Sequence, residues 1–410
     1  MPNKTYTPAE MAAAILAIPG GGGGSGVSKN DVNFYDYDGT IVKSYSAAEF
    51  ANLTALPDNP SHTGLTAQGW NWTLTDAKAY VASYGKLDVG QMYITEDGKT
   101  RIYIRLEDGR LAPYLGIAIK GTATVDWGDG ASDTVTGTST STVVNTQHTY
   151  AAAGDYVIAI AVSGSMALVG NSSYGSQVLW KNSTTGNLNR PYQNAIQKAE
   201  IGANTSFSNY AFRACYSLAS ITIPDSVTSI GNALFHQCYS LASITIPSNV
   251  RKINESAFLG CYSLTSITIP SGVTSISYTT FGNCYSLSSI TIPDRITTLL
   301  SALQGCNGLV SITIPDSVTS ISSDAFSSCH SLTSITIPSG VTSISSSAFQ
   351  YCYGLGYIKF KSTTPPTVSS SNAWTGIPTD CIIYVPRGSL SAYTSATNYP
   401  SSSTYTYVEY

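Results

Sequence analysis

Apolar and polar residues alternate in a pattern that repeats along the second half of the chain. From about Ala199 the pattern Leu-x-x-Ile-x-Ile-Pro recurs, in segments such as "CYSLASITIPDSVTSI" and "CHSLTSITIPSGVTSI". In "SITI", the alternation predicts a short strand with Ile221 and Ile223 facing the core. Ser220 and Thr222 then face outward. The following proline ends each strand, because it has no amide hydrogen to donate to a ladder.

Each repeat continues with a second apolar pair and then a turn. We expect Val227 and Ile230 to return to the core, and a short helical turn to bury Phe235 and Cys238. One repeat cannot cover its own apolar face, so neighbouring copies must stack. The pattern therefore predicts a solenoid.

A cysteine occupies the same position in every copy. The interval is 23 residues, with a single interval of 22 where "LLSALQGC" lacks one residue and Leu303 replaces a phenylalanine; the column is Cys215, Cys238, Cys261, Cys284, Cys306, Cys329 and Cys352. Metal ligation would need Cys-x-x-Cys or paired histidines, and disulfides between adjacent repeats would distort the stacking. We expect buried free thiols, where a substituted serine hydroxyl would lack a designed partner. Free thiols fit synthesis in a reducing cytoplasm.

These repeats resemble the BspA-type bacterial leucine-rich repeat, and the segment "CIIYVPRGSLSAY" resembles the last strand and cap of that family. The resemblance implies leucine-rich repeats over residues 196–386 and a C-terminal cap over residues 387–410.

The first part of the chain has a different pattern. The box Thr7-Pro8-Ala9-Glu10 predicts a helix within residues 1–18, and the run Gly20 to Gly24 predicts a flexible linker over residues 19–30. For residues 31–110 we predict a small α+β module with two helices, in "SAAEFANL" and "TDAKAYVASYG". A meander of strands with turns at Asp97-Gly98 and Asp108-Gly109 should follow.

The segment "FYDYDGTIV" allows two interpretations. Asp36 and Asp38 resemble the nucleophile and the acid/base of the haloacid dehalogenase-type phosphatases, and "GDGASD" from Gly128 resembles their metal-binding motif. The lysine of that family would be Lys78, Lys86 or Lys99. However, that fold needs a parallel sheet with alternating helices, which the pattern lacks. We interpret Asp36 to Gly39 as a hairpin turn between "VNFY" and "TIVKSY", and keep the phosphatase as a distant alternative.

Residues 111–166 resemble a PKD-type β-sandwich. The resemblance rests on "TATVDWGDGASDT" and "QHTYAAAGDYVIAIAV", with matching residues Trp127, Gly128, Asp129, Gly130, His148, Thr149, Tyr150, Gly154 and Tyr156. It implies a turn at Asp129-Gly130, core packing of Trp127 and Tyr156, and a structural hydrogen bond for His148. We interpret residues 167–195 as a connector. Taken together, the predicted segments give a multidomain, mainly β fold class.

The composition and the motifs of the chain argue against several classes of function. The chain has 410 residues, of which only 11% are charged, and its net charge is -4, so no basic field favours nucleic acid. No apolar run approaches the roughly 18 residues of a membrane span. The chain has no Gly-x-Ser-x-Gly elbow, Walker loop or His-Glu-x-x-His motif. We therefore predict no enzyme activity and no cofactor or metal.

The candidate binding surface follows the cysteine column. The residues directly after the cysteines are Tyr216, Tyr239, Tyr262, Tyr285, Asn307, His330 and Tyr353. Strand spacing places successive members about 5 Å apart, beside Ser/Thr ladders that include Thr222, Thr245 and Thr268. Two interpretations stay open. The rings stack only to stabilise the solenoid, or they form a receptor-binding face.

The start "YTPAEMAAAI" and the stretch from "VNFYDYDGTIV" to "TRIYI" resemble tail-associated structural proteins of phages of gut bacteria. This resemblance implies a virion component, made in the host cytoplasm, that binds other tail proteins through its N-terminal region. Its partner on the bacterium would be a surface protein or glycan. The alternative is a BspA-like bacterial surface adhesin, for which an export signal is expected and none is visible.

Overall fold

The computed structural model describes residues 31–35, 41–58, 65–70, 74, 77–78, 81–82, 87–95, 98–171, 175–176, 178–180 and 192–410. The chain divides into two compact units, Met1–Asp97 and Gly98–Tyr410. The predicted helix in residues 1–18, the linker 19–30 and the turn Asp36 to Gly39 lie outside the described residues.

The first unit is built on a mixed four-stranded sheet in the order β2-β1-β4-β3. Its strands are β1 (Val32–Tyr35), β2 (Ile41–Tyr45), β3 (Leu65–Trp70) and β4 (Leu87–Thr95). The two arms of the predicted hairpin, β1 and β2, pair antiparallel, whereas β1 and β4 pair parallel. The sheet therefore contains only one parallel pair among its described strands.

Helix α1 (Ala47–Ala51) begins with the predicted capping box. The backbone N–H of Glu49 donates to the Ser46 hydroxyl, and the Glu49 carboxylate accepts from the Ser46 N–H at 2.8 Å. These hydrogen bonds from Ser46 lower the pKa of the Glu49 carboxyl. Phe50 of this helix packs in a small core with Val32 and Phe34. In the second predicted helix, the described residues 74, 77, 78, 81 and 82 are helical.

The second unit begins with four long strands, β5 (Thr100–Leu106), β6 (Tyr114–Asp126), β7 (Ser132–Gln147) and β8 (Gly154–Leu168). Strand β8 lies between β5 and β6, and β7 pairs with the other side of β6, all antiparallel. Eighteen short strands follow: β9 (Gly170–Asn171), β10 (Gly175–Ser176), β11 (Leu179–Trp180), β12 (Ile196–Glu200), β13 (Thr205–Phe207), β14 (Ser220–Thr222), β15 (Ser229–Ile230), β16 (Lys252–Ile253), β17 (Ser266–Thr268), β18 (Ser289–Thr291), β19 (Thr298–Leu299), β20 (Ser320–Ile321), β21 (Ser334–Ile337), β22 (Ser343–Ile344), β23 (Tyr357–Phe360), β24 (Thr367–Val368), β25 (Ile382–Val385) and β26 (Thr406–Glu409).

The predicted meander is wrong in its pairing. Strands occur where alternation predicted them, but the described partners of β5 are β8 and β12, not β4 or β6. Alternation reports which face of a strand is buried and does not specify the neighbouring strand. The division of the chain before Gly98 also differs from the predicted boundary after residue 110, because β5 hydrogen bonds within the second unit.

Three glycines allow the long strands to approach closely. Gly121 faces Gly164 on one neighbour and Gly137 on the other. A Cβ on Gly164 would lie 2.2 Å from the Lys120 carbonyl oxygen, and the φ of Gly164 is +117°. Any side chain here would force the strands apart.

The repeats form a solenoid with three hydrogen-bonded sides, as the periodicity predicts. One side contains the "SITI" segments, with parallel pairs such as β17–β18 and β21–β23. A second side contains the short strands of the "TSI" segments, including β15–β16 and β19–β20–β22. Strand β12 joins the sheet of long strands in this unit to the solenoid. It pairs antiparallel with β5 on one side and parallel with β14 on the other.

The third side is a turn, and it differs from the short helical turn that we expected. Alternate amides point in different directions. The N–H groups of Ala233, Phe235 and Gln237 donate to carbonyls of the next repeat, at 2.8 to 2.9 Å. Those of Leu234, His236 and Cys238 donate to the carbonyl three residues earlier. A helix would keep all these bonds internal. Ala233 and Gln237 reach this geometry with positive φ, at 48° and 63°.

The C-terminal residues close the solenoid. A 3-10 turn (Ser371–Trp374) places Trp374 against Phe349, with ring centroids 5.4 Å apart. Helix α2 (Leu390–Thr394) follows, and β26 then pairs parallel with β25. Tyr393 and Tyr399 pack against Phe360 and cover this end of the apolar core.

Replacement of Gly164 by alanine tests the close approach. We expect Gly164→Ala to destabilise the second unit by about 3 kcal/mol or more, since the new Cβ would clash with backbone atoms as well as occupy an unfavourable φ. Gly109→Ala is the control: it has a positive φ of +79° but nothing within 4 Å of the new Cβ. It should cost about 1 kcal/mol. Urea unfolding that gives equal losses for both variants would contradict this account.

Candidate functional site

The residues that follow the cysteines form a stack of aromatic rings on the outside of the solenoid. The centroids of Tyr216 and Tyr239 are 4.6 Å apart, those of Tyr239 and Tyr262 4.5 Å, and those of Tyr262 and Tyr285 4.7 Å. The planes deviate from parallel by only 3°, 5° and 13°. We call the seven residues Tyr216, Tyr239, Tyr262, Tyr285, Asn307, His330 and Tyr353 the tyrosine column.

The column continues after an interruption. Asn307 carries no ring, and His330 then stacks on Tyr353 with centroids 5.2 Å apart and planes at 29°. The backbone sets this spacing, because four of the serines that follow column residues donate their N–H to the column residue of the preceding repeat: Ser240, Ser263, Ser286 and Ser331. Ser240, for example, donates to the Tyr216 carbonyl at 3.1 Å. The column thus lies in the turn that precedes the first strand of each repeat, where the sequence placed it.

The rings become more exposed along the column. Tyr216 and Tyr239 are half-buried, whereas Tyr285 is 43% and Tyr353 57% exposed. Burial, and then the neighbouring Tyr262 and Tyr216, raise the pKa of Tyr239 to about 12. The Tyr239 hydroxyl is therefore a neutral hydrogen-bonding group at ordinary pH.

The three predicted threonines do not share one environment. Thr245 and Thr268 are exposed, but Thr222 is half-buried. Its Oγ1 is buried and has no hydrogen-bond partner among the described residues. Thr222 pairs with Glu200 of β12, so the preceding sheet covers it. Thr222 is therefore less accessible to a partner than Thr245 and Thr268.

A second row of hydroxyls was missed by sequence reasoning. Thr265, Ser288 and Thr333 lie three residues after the column positions, and each donates its hydroxyl to a backbone carbonyl of the preceding repeat, at 3.2 to 3.3 Å. The signal was present in the sequence, since small polar residues recur there. These hydroxyls stabilise the stacking of repeats.

The cysteine column lies in the core behind the tyrosines. All eight cysteines of the chain are buried thiols, which confirms the predicted position of the column. Each thiol from Cys238 onward in the column donates to a carbonyl of the preceding repeat. Cys261 donates to Phe235 at 3.2 Å and Cys284 to Phe258 at 3.3 Å. Burial raises the pKa of these thiols, that of Cys352 to about 12. The same carbonyl lies within reach of a substituted serine hydroxyl, a partner that the sequence did not reveal.

A second aromatic series fills the interior. Phe235, Phe258 and Phe281 stack with centroids 5.4 Å apart, and Phe326 stacks on Phe349 at 5.5 Å. Leu303 takes the position between these two runs and is buried, as its alignment with phenylalanine predicted. The interior series supplies the packing, and the tyrosine column lies outside it.

The residues that resemble the PKD signature form a hydrogen-bonded cluster. His148 Nε2 lies 2.6 Å from Asp129 Oδ2, and its ring stacks on Trp127 with centroids 5.2 Å apart. Trp127 Nε1 donates to Asp133 at 2.9 Å, and the Tyr150 hydroxyl donates to the Trp127 carbonyl. Trp127 and Tyr150 are buried, and Tyr156 packs partly buried against the same core. His148 makes the structural hydrogen bond that was predicted for it.

Only some of the residues suggested for a phosphatase site lie in the described part of the chain. Asp36, Asp38 and Lys86 lie outside the described residues. Asp133 accepts from Trp127 and Thr146, and Lys78 donates to the Leu53 carbonyl at 2.6 Å. Within the described part of the chain, no three His, Cys, Asp or Glu side chains are grouped as a metal site requires. No helix among the described residues is long and apolar enough to cross a membrane.

Comparison with known families identifies the solenoid. Residues 192–303 and 300–374 match the model of the BspA type leucine rich repeat region, in six copies. This part of the chain therefore matches the BspA-type leucine-rich repeat, which its sequence resembles. The matching model describes a repeat region, and no catalytic family is indicated.

Several solved structures are similar to part of the chain. A leucine-rich repeat protein from Bacteroides ovatus is 21% identical, over 52% of this chain and 84% of its own, with a TM-score of 0.29. The T. pallidum leucine rich repeat protein is 25% identical, over 44% and 78%, with a TM-score of 0.31. A leucine rich cell surface protein from Faecalibacterium prausnitzii is 25% identical, over 50% and 73%, with a TM-score of 0.28. No curated protein matches the chain significantly.

Substitution of Cys261 tests the thiol hydrogen bond. Cys261→Ala should cost about 1–2 kcal/mol, because it removes a buried sulfur. We expect Cys261→Ser to cost no more than the alanine variant, since its hydroxyl can donate to the Phe235 carbonyl. The midpoint of chemical unfolding measures both. A serine variant less stable than the alanine variant by about 2 kcal/mol would show that the hydroxyl is buried without a bond.

Proposed function

We propose that this protein is a non-enzymatic binding protein whose contact surface is the tyrosine column, together with the neighbouring Thr245 and Thr268. The observation that carries the proposal is the parallel stack from Tyr216 to Tyr285, in which Tyr262 and Tyr285 are exposed. Tyrosine supplies a large, rigid and amphipathic contact area, and it loses little side-chain entropy when the neighbouring rings already hold it.

Packing needs alone do not explain the exposure of the column. The core of the repeats is already filled by phenylalanines, cysteines and aliphatic residues that are almost completely buried. The column instead leaves Tyr262, Tyr285 and Tyr353 at 37%, 43% and 57% exposed. Stacking pre-organises these rings, so a partner would bind them without ordering flexible side chains first.

The partner class follows from the chemistry of this surface. The column offers ring faces and hydroxyls, and charged residues are few in the chain as a whole. Such a surface suits a bacterial surface glycan or the edge of a surface protein. It does not suit nucleic acid, which is bound through lysine and arginine.

We further propose that the protein is a phage tail or fibre component that contacts the bacterial cell surface through these repeats. The resemblance of the N-terminal quarter to tail-associated proteins supports this assignment. The N-terminal region would then bind other virion proteins, and the cluster around Trp127 would belong to a PKD-like spacer domain. The alternative is a BspA-like adhesin of the bacterial surface, which the matched repeat family favours.

Removal of two rings tests the contact surface. We expect the double variant Tyr239→Ala with Tyr262→Ala to lower the binding of purified protein to cells of gut bacteria by at least about tenfold. Its melting temperature should change by only a few degrees, because both rings lie outside the core. Tyr278→Ala is the matched control, since Tyr278 is 50% exposed and is not in the column. Unfolding of the double variant, with normal binding per folded molecule, would assign the column to stability alone.

The location of the protein distinguishes a phage tail component from a bacterial surface adhesin. We expect the protein in purified phage particles, as peptides detected by mass spectrometry after density-gradient purification. Detection on intact bacterial cells by protease shaving, and none in virions, would instead establish the adhesin. Neither outcome depends on the tyrosine column, so this measurement is independent of the binding test.

A further inference from the structure

One repeat interrupts two aromatic series at once. Outside, Asn307 stands where the preceding repeat has Tyr285 and the next has His330. Inside, Leu303 stands between Phe281 and Phe326. The same repeat is the one that lacks a residue. The outer stack is therefore divided into a run of four tyrosines and a pair formed by His330 and Tyr353.

The interruption removes one ring from the stack, and the repeat spacing gives the width that we infer for the resulting slot. Successive ring centroids in the column are 4.5 to 4.7 Å apart. Tyr285 and His330 are two repeats apart, so their rings should be separated by about 9–10 Å, twice the spacing of neighbouring strands. A single ring held between Tyr285 and His330 would contact one face of each side chain. Its distance to each would equal the spacing between neighbouring tyrosine rings in the column. The slot thus has room for one six-membered ring.

The lining of the slot is mixed in polarity. The Asn307 amide is best satisfied when its nitrogen donates to the Ser328 carbonyl at 2.6 Å and to the Gly305 carbonyl at 3.2 Å. That orientation fixes the amide and leaves its oxygen as a hydrogen-bond acceptor. Val310, three residues further on, is 48% exposed, whereas most other repeats have a small or polar residue there. The slot therefore combines two ring faces with an amide and an exposed apolar side chain.

We propose that this slot binds one pyranose residue of a bacterial surface glycan. The apolar faces of the sugar ring would lie against Tyr285 and His330, and a sugar hydroxyl would donate to the Asn307 amide. A pyranose fits because it presents C–H groups on its faces and hydroxyls around its edge, which the slot matches with rings and an amide. This inference rests on the proposed function: it places one carbohydrate subsite within the contact surface, at the interrupted repeat, and narrows the partner to a glycan.

The decisive variant is Asn307→Tyr, which restores the residue that the first four repeats carry. It should complete the stack and fill the slot, with a melting temperature equal to or above that of the unaltered protein. The probes are cellotetraose, chitotetraose and α-1,6-mannotetraose, measured by ligand-observed NMR at up to about 10 mM, since single-residue sugar contacts are weak. We expect at least one probe to bind the unaltered protein and to lose at least about tenfold in affinity with Asn307→Tyr.

Two further variants make every outcome informative. His330→Ala removes one wall and should also weaken the probe at least about tenfold, which covers the case that Asn307→Tyr misfolds. Tyr239→Ala with Tyr262→Ala leaves the slot intact and should bind the probe normally, even where it no longer binds cells. Absence of binding by all three sugars, or equal binding by Asn307→Tyr, would overturn the slot. Loss of the probe with the Tyr239/Tyr262 pair alone would move the sugar site to the column and retain the proposed function.

Discussion

The hydrogen bonds between consecutive repeats are the constraint on which the solenoid depends. Alternate amides of each turn donate to the next repeat, whereas amides beside the short strands, such as those of Arg251 and Ser288, donate to the preceding repeat. The strands themselves pair in parallel with their equivalents. Backbone groups that are buried must find partners, so adjacent repeats are held at the spacing of neighbouring strands. Every position in one repeat then lies directly beside its equivalent in the next. A residue type that recurs in the sequence becomes a continuous row in space.

Three rows follow from this single spacing, and each row uses it differently. The phenylalanines stack in the core, the thiols donate to carbonyls of the preceding repeat, and the tyrosines stack on the outside. The spacing of strands suits stacked aromatic rings, which explains why the ring planes within each series are close to parallel. The difference between the series is burial: Phe258 is fully buried, whereas Tyr262 is 37% exposed. The backbone therefore pre-organises the outer rings at no cost to the core.

Features that depend on local alternation or on repetition could be predicted from the sequence. The inward isoleucines, the buried cysteines, the capping box at Ser46 and the position of the column all follow from short-range patterns. The pairing of β5 with β8 could not be predicted, because many strands in this chain have the same alternation and nothing local selects a partner. The turn was misjudged for a different reason. Positive φ is normally associated with glycine, but Ala233 and Gln237 adopt it here because bonds to the next repeat hold them there.

The environment of Thr222 shows the limit of reasoning from a repeat. Its position is equivalent to those of Thr245 and Thr268, yet only Thr222 lies beside β12, which belongs to the preceding sheet. Glu200 on that strand is almost buried and forms an ion pair with Lys198 at 2.7 Å. The first repeat therefore serves as a junction with the long-stranded sheet, whereas later repeats present the same hydroxyl to solvent. A surface built from repeats is uniform only where both neighbours are also repeats. Asn307 lies in such an interior repeat, so the interruption there arises from its own sequence and not from an end effect.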